Sequence, residues 1–551
     1  MKPDSMRCKQ NKLNESTASR LNFTGFRLAL FTLTLFSLML ITRLQSAELT
    51  HSEFERIETL TQTSNILQLQ QAMDDGKLTS VQLTQFYLQQ IDKKNPQLNA
   101  IISILPNALA NAQMLDKERS KGMYRGDMHG IPIVVKDNIE TRKLATTAGS
   151  LALKDNITKR DATVIKKLKR AGAIILAKSN LSEWANFRTE RSSSGWSAIG
   201  GQTRNPIDVN RSACGSSSGS AVAVAANLAV AAVGTETDGS ITCPASATGT
   251  VGIKPTVGLV SRYRIIPIAE TQDTAGPIAK SVIDAAILLE AMQGKDNADL
   301  ATKARKFDFD ETYKADTSEF KLGWSLNGLR IGLLESRVNP HEAVDSVYQK
   351  AIAQLEHAGA IIVPNLKTEN YAEFRQDSYD VLLYEFKDGL NRYFKTLPNS
   401  LHGMTLEKLI QFNKDNKATE MPYFEQEIFE KAQAKGSLSD RAYKIALALI
   451  QKATREDGLD KLMTKKKLDI LISPTLGPAW TIDKINGDHY SGGYSSYSAI
   501  SGYPYLTLPM GKVKHLPIGL SVIGLALDDA KIIAIAKQME VLFNGDTLKN
   551  K

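Results

Sequence analysis

The chain has 551 residues, 42% of them hydrophobic, and a formal net charge of +9. That length allows several domains or one large α/β unit, and the composition is that of a globular protein, not a disordered or fibrous one. The charge is modest for the size. Lysines are scattered or in short runs such as Lys465 to Lys467, which reads as solvated surface and argues against a nucleic-acid-binding stripe.

Taken in chain order, the first signal is a leader. Basic residues (Lys2, Arg7, Lys9, Lys12, Arg20, Arg27) precede an apolar run from Leu28 to Ile41, and Arg43 ends it. At 14 residues the run is shorter than the roughly 20 needed to span a bilayer. Residues 1–47 therefore read as a signal peptide, with Ala47 as a candidate last residue, and the product as periplasmic or secreted. The long basic region keeps an uncleaved membrane anchor as the alternative.

Ile66 to Ile91 has helical periodicity, with Thr79-Ser80 as a cap and Leu83, Phe86, Tyr87 and Ile91 as an apolar stripe. Asn99 to Leu105 reads as a strand, Ala108 to Ser120 as a helix, and Met128 to Lys136 as a turn and a buried strand. Ala162 to Ala171 reads as a helix and Ala173 to Ala177 as a short strand. This alternation predicts an α/β protein with helices covering a sheet. Asn186 to Arg211 reads as loop, Ser220 to Val233 as a tightly packed alanine-rich helix, and Gly234 to Ser240 as a turn. Residues 300–460 are more polar and helical in pattern, and are expected to form a variable cap or rim. Leu468 to Ile472 and Tyr505 to Met510 read as late buried strands. With no internal repeat, one catalytic unit is expected over residues 52–545.

There are three cysteines. Cys8 lies in the leader. Cys214 and Cys243 flank two serine-rich motifs, and no Cys-x-x-Cys or His-rich spacing suggests a metal. A disulfide could form in an oxidising compartment. Two inert buried thiols are the preferred reading, because spacing alone does not supply bonding geometry.

Three motifs carry chemistry. A serine hydroxyl needs a base before it attacks. Lys136 ends the apolar run Ile133-Val134-Val135, where burial would lower its pKa and leave a neutral amine. The bland alternative is a strand-end lysine reaching solvent or pairing with Asp137. Ser240 lies in Thr237-Asp238-Gly239-Ser240, where glycine permits a tight turn whose N–H groups could form an oxyanion hole. The cluster Ser216-Ser217-Ser218 could relay a proton between them. Two competing motifs are weak. Gly215 to Gly219 matches Gly-x-Ser-x-Gly with Ser217 as nucleophile, but lacks a preceding strand and a supported histidine, His489 and His515 being the late ones available. Ser318 to Lys321 matches Ser-x-x-Lys without its companion motifs.

In combination these motifs resemble the amidase signature family, over residues 60–540. Arg125 to Pro132 resembles the approach to the family's catalytic lysine, here Lys136. Gly215-Ser216-Ser217 resembles its serine-rich signature and Gly234 to Ser240 its nucleophile turn. Asp469 to Thr475, Gly502 to Gly511 and Leu516 to Leu520 resemble its C-terminal blocks. The resemblance implies a large twisted mixed β-sheet covered by helices on both faces. It implies a Ser–cis-Ser–Lys triad of Ser240 as nucleophile, Ser216 as relay and Lys136 as base. It also implies an oxyanion hole from the N–H groups of Thr237, Asp238, Gly239 and Ser240, and Ser217 helping to hold Lys136. No cofactor or metal is implied. Where the family pattern reads Gly-Thr-Asp-Thr-Gly-Gly-Ser-Ile-Arg, this chain has Glu236, Asp238 and Thr242, and Ser218 replaces an earlier glycine. Those departures resemble the peptide amidase branch, which removes C-terminal amides from peptides. The expectation is an exported monomer that acts on a small-molecule or peptide amide. The rivals are a fatty-acid amide hydrolase anchored by the leader, a glutaminase subunit of tRNA-linked transamidation, and a non-enzymatic protein on an inactive amidase fold. Specificity is expected in Trp184 to Trp196, residues 370–430 and Tyr494 to Tyr503.

Overall fold

The computed structural model describes residues 48–304, 325–335, 337–368 and 370–549. The expected leader, residues 1–47, and the Ser318–Lys321 motif lie outside the described residues. The chain divides between His51 and Ser52, and the unit from Ser52 onward carries the whole sheet.

The fold is α/β. Its frame is an 11-stranded mixed sheet in the order β1-β3-β2-β6-β8-β7-β12-β13-β11-β9-β10. The strands are β1 (Ile101–Ile104), β2 (Pro132–Lys136), β3 (Ile174–Ser179), β6 (Ala231–Glu236), β7 (Val251–Lys254), β8 (Thr274–Ala279), β9 (Arg330–Leu334), β10 (Ile361–Leu366), β11 (Ile470–Pro474), β12 (Tyr505–Val513) and β13 (Leu516–Ile523). A separate ribbon pairs β4 (Trp196–Ser197) with β5 (Gly201–Gln202). The β3-β2-β6 and β11-β9-β10 runs are parallel, and the strands between them are antiparallel. Every residue of β2, β3 and β6 is buried, as expected of strands with helices on both faces. That double burial explains their unbroken apolar runs.

The cap expected at Thr79 is present. Its side chain accepts from the Gln82 N–H, and the Gln82 side chain accepts from the Thr79 N–H. The single periodic stretch from Ile66 is two helices, Ile66–Asp74 and Ser80–Leu98, separated at Gly76, whose φ is +70°. Ser220 to Val233 is corrected more sharply. A helix at Ser218–Ala225 stops before Asn227, which is left-handed at φ 59°, and Ala231 opens β6. A short run of alanine and valine has no period that separates buried helix from buried strand.

The polar span 300–460 also contains β9 and β10 of the main sheet. β10 is an edge strand with Ile361, Pro364 and Asn365 exposed, and Pro364 breaks its apolar run, which weakens it as a strand signal. The helical rim is the later part, principally Tyr371–Phe394, Leu406–Asp415, Glu427–Gln433 and Arg441–Thr454. Phe386, Leu390, Phe394, Leu409 and Phe429 of this rim pack with Trp184, Phe187 and Ile268 in one apolar cluster.

Candidate active site

β2 and β6 run parallel in the register Val135 to Val233, which places Lys136 beside the start of the 234–240 turn. Lys136 is fully buried. Its Nζ lies 2.7 Å from Ser216 Oγ, 2.9 Å from Thr235 Oγ1 and 3.1 Å from the Thr235 carbonyl oxygen. Asp137 does not pair with Lys136; it faces Lys178 at 3.3 Å. Desolvation pushes Lys136 down to about 7, against the opposing pull of Glu236 and Asp273. A neutral amine has two N–H bonds and one lone pair. The Thr235 carbonyl can only accept, and Thr235 Oγ1 takes the second N–H, so the lone pair is left for the hydroxyl of Ser216.

The Gly215–Ser216 peptide bond is cis. The Ser216 carbonyl accepts from the Ser182 N–H at 3.1 Å. Ser217 then ties this segment to the 234–240 turn. Its N–H donates to the Ser240 carbonyl at 3.0 Å, and its hydroxyl donates to the Thr235 carbonyl at 3.0 Å. A Cβ on Gly234 would sit 2.8 Å from Ser217 Oγ, so this contact requires glycine there. Ser217 thus supports Lys136 through Thr235. Being fully buried and bonded in this way, it is no elbow nucleophile, and the late histidines are exposed and face Asp483 and Asp208.

The turn 237–240 is folded by its own carboxylates. Glu236 Oε2 accepts from the N–H groups of Ile241 at 2.7 Å and Thr242 at 3.0 Å, and from Thr242 Oγ1 at 3.2 Å. The Glu236 and Thr242 departures therefore work as a pair. Asp238 accepts from the hydroxyls of Ser495 (2.5 Å) and Ser496 (2.6 Å), and Thr237 Oγ1 donates to Asp273 at 2.5 Å. Gly239 has φ +76°, which glycine adopts without strain. Among the described residues, no protein group accepts from the N–H groups of Asp238, Gly239 or Ser240, which leaves three adjacent donors at the turn. Ser240 retains 8% exposure, whereas Lys136 and Ser216 have none.

Cys214 and Cys243 are joined in a disulfide, with Cα atoms 5.9 Å apart. This corrects the expectation of two free thiols. The bond follows from the fold, because the Ser217–Ser240 contact brings the two flanking cysteines to one place, in an apolar cluster with Ala247, Leu476, Ala479 and Trp480.

Ser240, Asp238, Gly239, Thr237, Gly215 and the disulfide line a cleft of about 410 Å³, with Glu190, Arg191, Trp480 and Tyr490 among its walls. Through Glu190, Asp238 and Leu382 it continues into a trough of about 730 Å³ beneath the helix Tyr371–Phe394. Of the expected specificity segments, Trp184 and Trp196 are packing residues, buried against Phe429 and Phe424 respectively. Tyr494, Tyr497 and Tyr503 are buried too. The polar residues between them face the cleft instead: Thr189 to Ser192 on one side, Ser495 and Ser496 on the other. Sequence reasoning missed Thr235 and Asn138. Asn138 Nδ2 donates to Thr235 Oγ1 at 2.9 Å, and the two residues sit beside Lys136 and in the 234–240 turn motif.

Known proteins share this architecture. The amidase family model matches residues 82–533. A probable amidase of Arabidopsis thaliana is 39% identical over 489 residues, 87% of this chain and 90% of its own. The crystal structure of the peptide amidase of Stenotrophomonas maltophilia superposes with a TM-score of 0.82 at 44% identity, covering 88% of this chain and 97% of that one. A glutamyl-tRNA(Gln) amidotransferase subunit of Caldanaerobacter subterraneus is 31% identical over 497 residues, 87% of this chain and 96% of its own. The chain belongs to the amidase family and is a hydrolase of amide bonds.

Proposed function

We propose that the protein is an exported peptide amidase, which converts a peptide C-terminal amide to the acid and ammonia through Ser240, Ser216 and Lys136. One observation carries the mechanism: a fully buried Lys136 whose Nζ lies 2.7 Å from Ser216 Oγ while Thr235 accepts its other hydrogen bonds. Ser240 Oγ attacks the amide carbonyl as its proton passes to Ser216 Oγ and that of Ser216 passes to Lys136 Nζ. The oxyanion lies against the N–H groups of Asp238, Gly239 and Ser240, with that of Thr237 beside them. Collapse returns the proton along the same path to the leaving amine, and ammonia departs. Water then attacks the acyl-serine with the same relay acting as base.

The substrate reading is supported by the likeness to peptide amidase structures, one of them in complex with the competitive inhibitor chymostatin at 45% identity. The cleft and its trough together offer room for a chain of several residues running away from Ser240. Export is supported by the leader and by a disulfide, which persists in oxidising compartments. Among the described residues, no helix is long and apolar enough to cross a membrane. The test is ammonia release from a peptide amide, glutamine, a fatty amide and an aryl amide, with Ser240→Ala as control. Preferential turnover of the peptide amide, lost in the variant, is expected. Preference for another amide overturns the substrate, and full activity of Ser240→Ala overturns the mechanism.

A further inference from the structure

We propose that the Cys214–Cys243 disulfide is a positioning element of the reaction: it holds the Ser216 segment against the Ser240 turn, and full turnover requires its oxidised form. This rests on the assignment of Ser240 and Ser216 above.

Cys214 immediately precedes the Gly215–Ser216 peptide, and Cys243 lies three residues after Ser240. Among the described residues, the hydrogen bonds that join the two segments directly run through Ser217, on the far side of Ser216: its N–H to the Ser240 carbonyl, and its hydroxyl to Thr235. The gap that a proton must cross is therefore bracketed by Ser217 on one side and by the disulfide on the other. The elements between the two cysteines have holds of their own. Helix Ser218–Ala225 and strand β6 between them are already packed in the core and hydrogen-bonded into the sheet. Cys243 itself is anchored, its N–H donating to the Gly239 carbonyl at 2.8 Å in the nucleophile turn. The backbone hydrogen bonds of Cys214 are local: its N–H donates to Ser212 Oγ, two residues back, and its carbonyl accepts from Ser218 Oγ, four residues on. Its backbone is left-handed at φ 56°. Without the bond, the segment bearing Ser216 keeps on that side only an indirect bridge, Asn205 Nδ2 donating to the Ser212 carbonyl at 3.2 Å and to the Ala247 carbonyl at 2.9 Å, and relay geometry degrades steeply with small displacements.

The experiment compares the wild-type chain with Cys214→Ala/Cys243→Ala on a peptide amide, far below either melting temperature. A fall in kcat of about tenfold to a hundredfold, with KM within about twofold, is expected. A lower Tm with kcat unchanged would show a purely structural bond and overturns the proposal. If the double variant does not fold, the native protein is treated with a dithiol reductant. The S–S bond breaks, two thiols form, and the reductant closes to its own disulfide. Loss of kcat at unchanged circular dichroism, restored on reoxidation, supports the proposal. Full activity with both thiols alkylatable overturns it. Ser240→Ala is run in parallel: if that variant stays active, the mechanistic reading has failed, whatever the cysteines do.

Discussion

The floor of the cleft and its rim are held together by different physics. On the floor, Lys136 and Ser216 have no exposed surface: Lys136 is held by Ser216 Oγ and by the carbonyl and hydroxyl of Thr235, and Ser216 by the N–H of Ser182, while its neighbour Ser217 bonds to the Ser240 carbonyl. At the rim, the bonds join long side chains. Lys431 reaches Glu190 at 47% and 48% exposure, and Lys435 reaches Asp380 at 2.8 Å. Thr235 lies in β6 and cannot be moved without disturbing the sheet, which suits the fixed geometry that the proposed proton path needs. Exposed ion pairs are worth about 0–1 kcal/mol each and can be exchanged freely, which suits a surface that chooses among substrates. One rim feature breaks the pattern. Arg188 is buried between Glu183 and Glu420 and stacks on Phe424 with its guanidinium carbon 4.5 Å from the ring centre. It joins the 183–196 loop to the rim as firmly as the floor is joined to itself.

The contrast can be broken in steps of decreasing size. Lys136→Ala should lower kcat by about 10⁴-fold or more, read by ammonia release, since members of such a unit fail together. Arg188→Ala should cost about 3–5 kcal/mol, seen in the denaturant midpoint, by leaving buried carboxylates without their cation. Thr235→Val should lower kcat by about tenfold to a hundredfold, since it removes the acceptor that turns the lysine lone pair toward Ser216. Lys431→Ala should change stability by less than about 1 kcal/mol and leave kcat intact, with a modest change in KM for longer peptides as its only signature. If Lys431→Ala matched Thr235→Val in kcat, the floor and rim would not be separable.

The pH dependence sharpens the same contrast. With Lys136 held near pH 7, kcat/KM should rise with pH through about 7 as the amine loses its proton. Its folded pKa lies below its unfolded value. Between about 7 and the unfolded lysine range near 10.4, the unfolded chain binds the extra proton, so stability rises with pH across that window. Lys136→Met should flatten that rise in pH-dependent denaturation, because the unfolded chain then has no lysine at that position to bind the extra proton.

The class of the fold and the three central motifs were legible in the sequence because they are local. Buried strands appear as apolar runs, and the Thr79 cap and the Gly239 turn carry their own residue signatures. What escaped depends on residues far apart in the chain. Ser495 and Ser496 meet Asp238 across 257 and 258 positions, and neither serine has a local pattern to announce it. β9 and β10 were hidden in a helical region because their apolar runs are short and are interrupted by Gly332 and Pro364. The disulfide was misjudged for the opposite reason. Both cysteines were in view, but their meeting depends on how Ser217 folds one motif onto the other.

The unequal exposure of the three central side chains also governs what a reagent can find. Only Ser240 presents any surface to the cleft; Ser216 and Lys136 lie sealed behind it. A lysine amine with a pKa near 7 would ordinarily be a target for acylating reagents, yet here it has no accessible surface. A serine-directed fluorophosphonate should therefore leave one adduct on one atom, Ser240 Oγ, and the relay behind it should remain chemically silent while it is disabled.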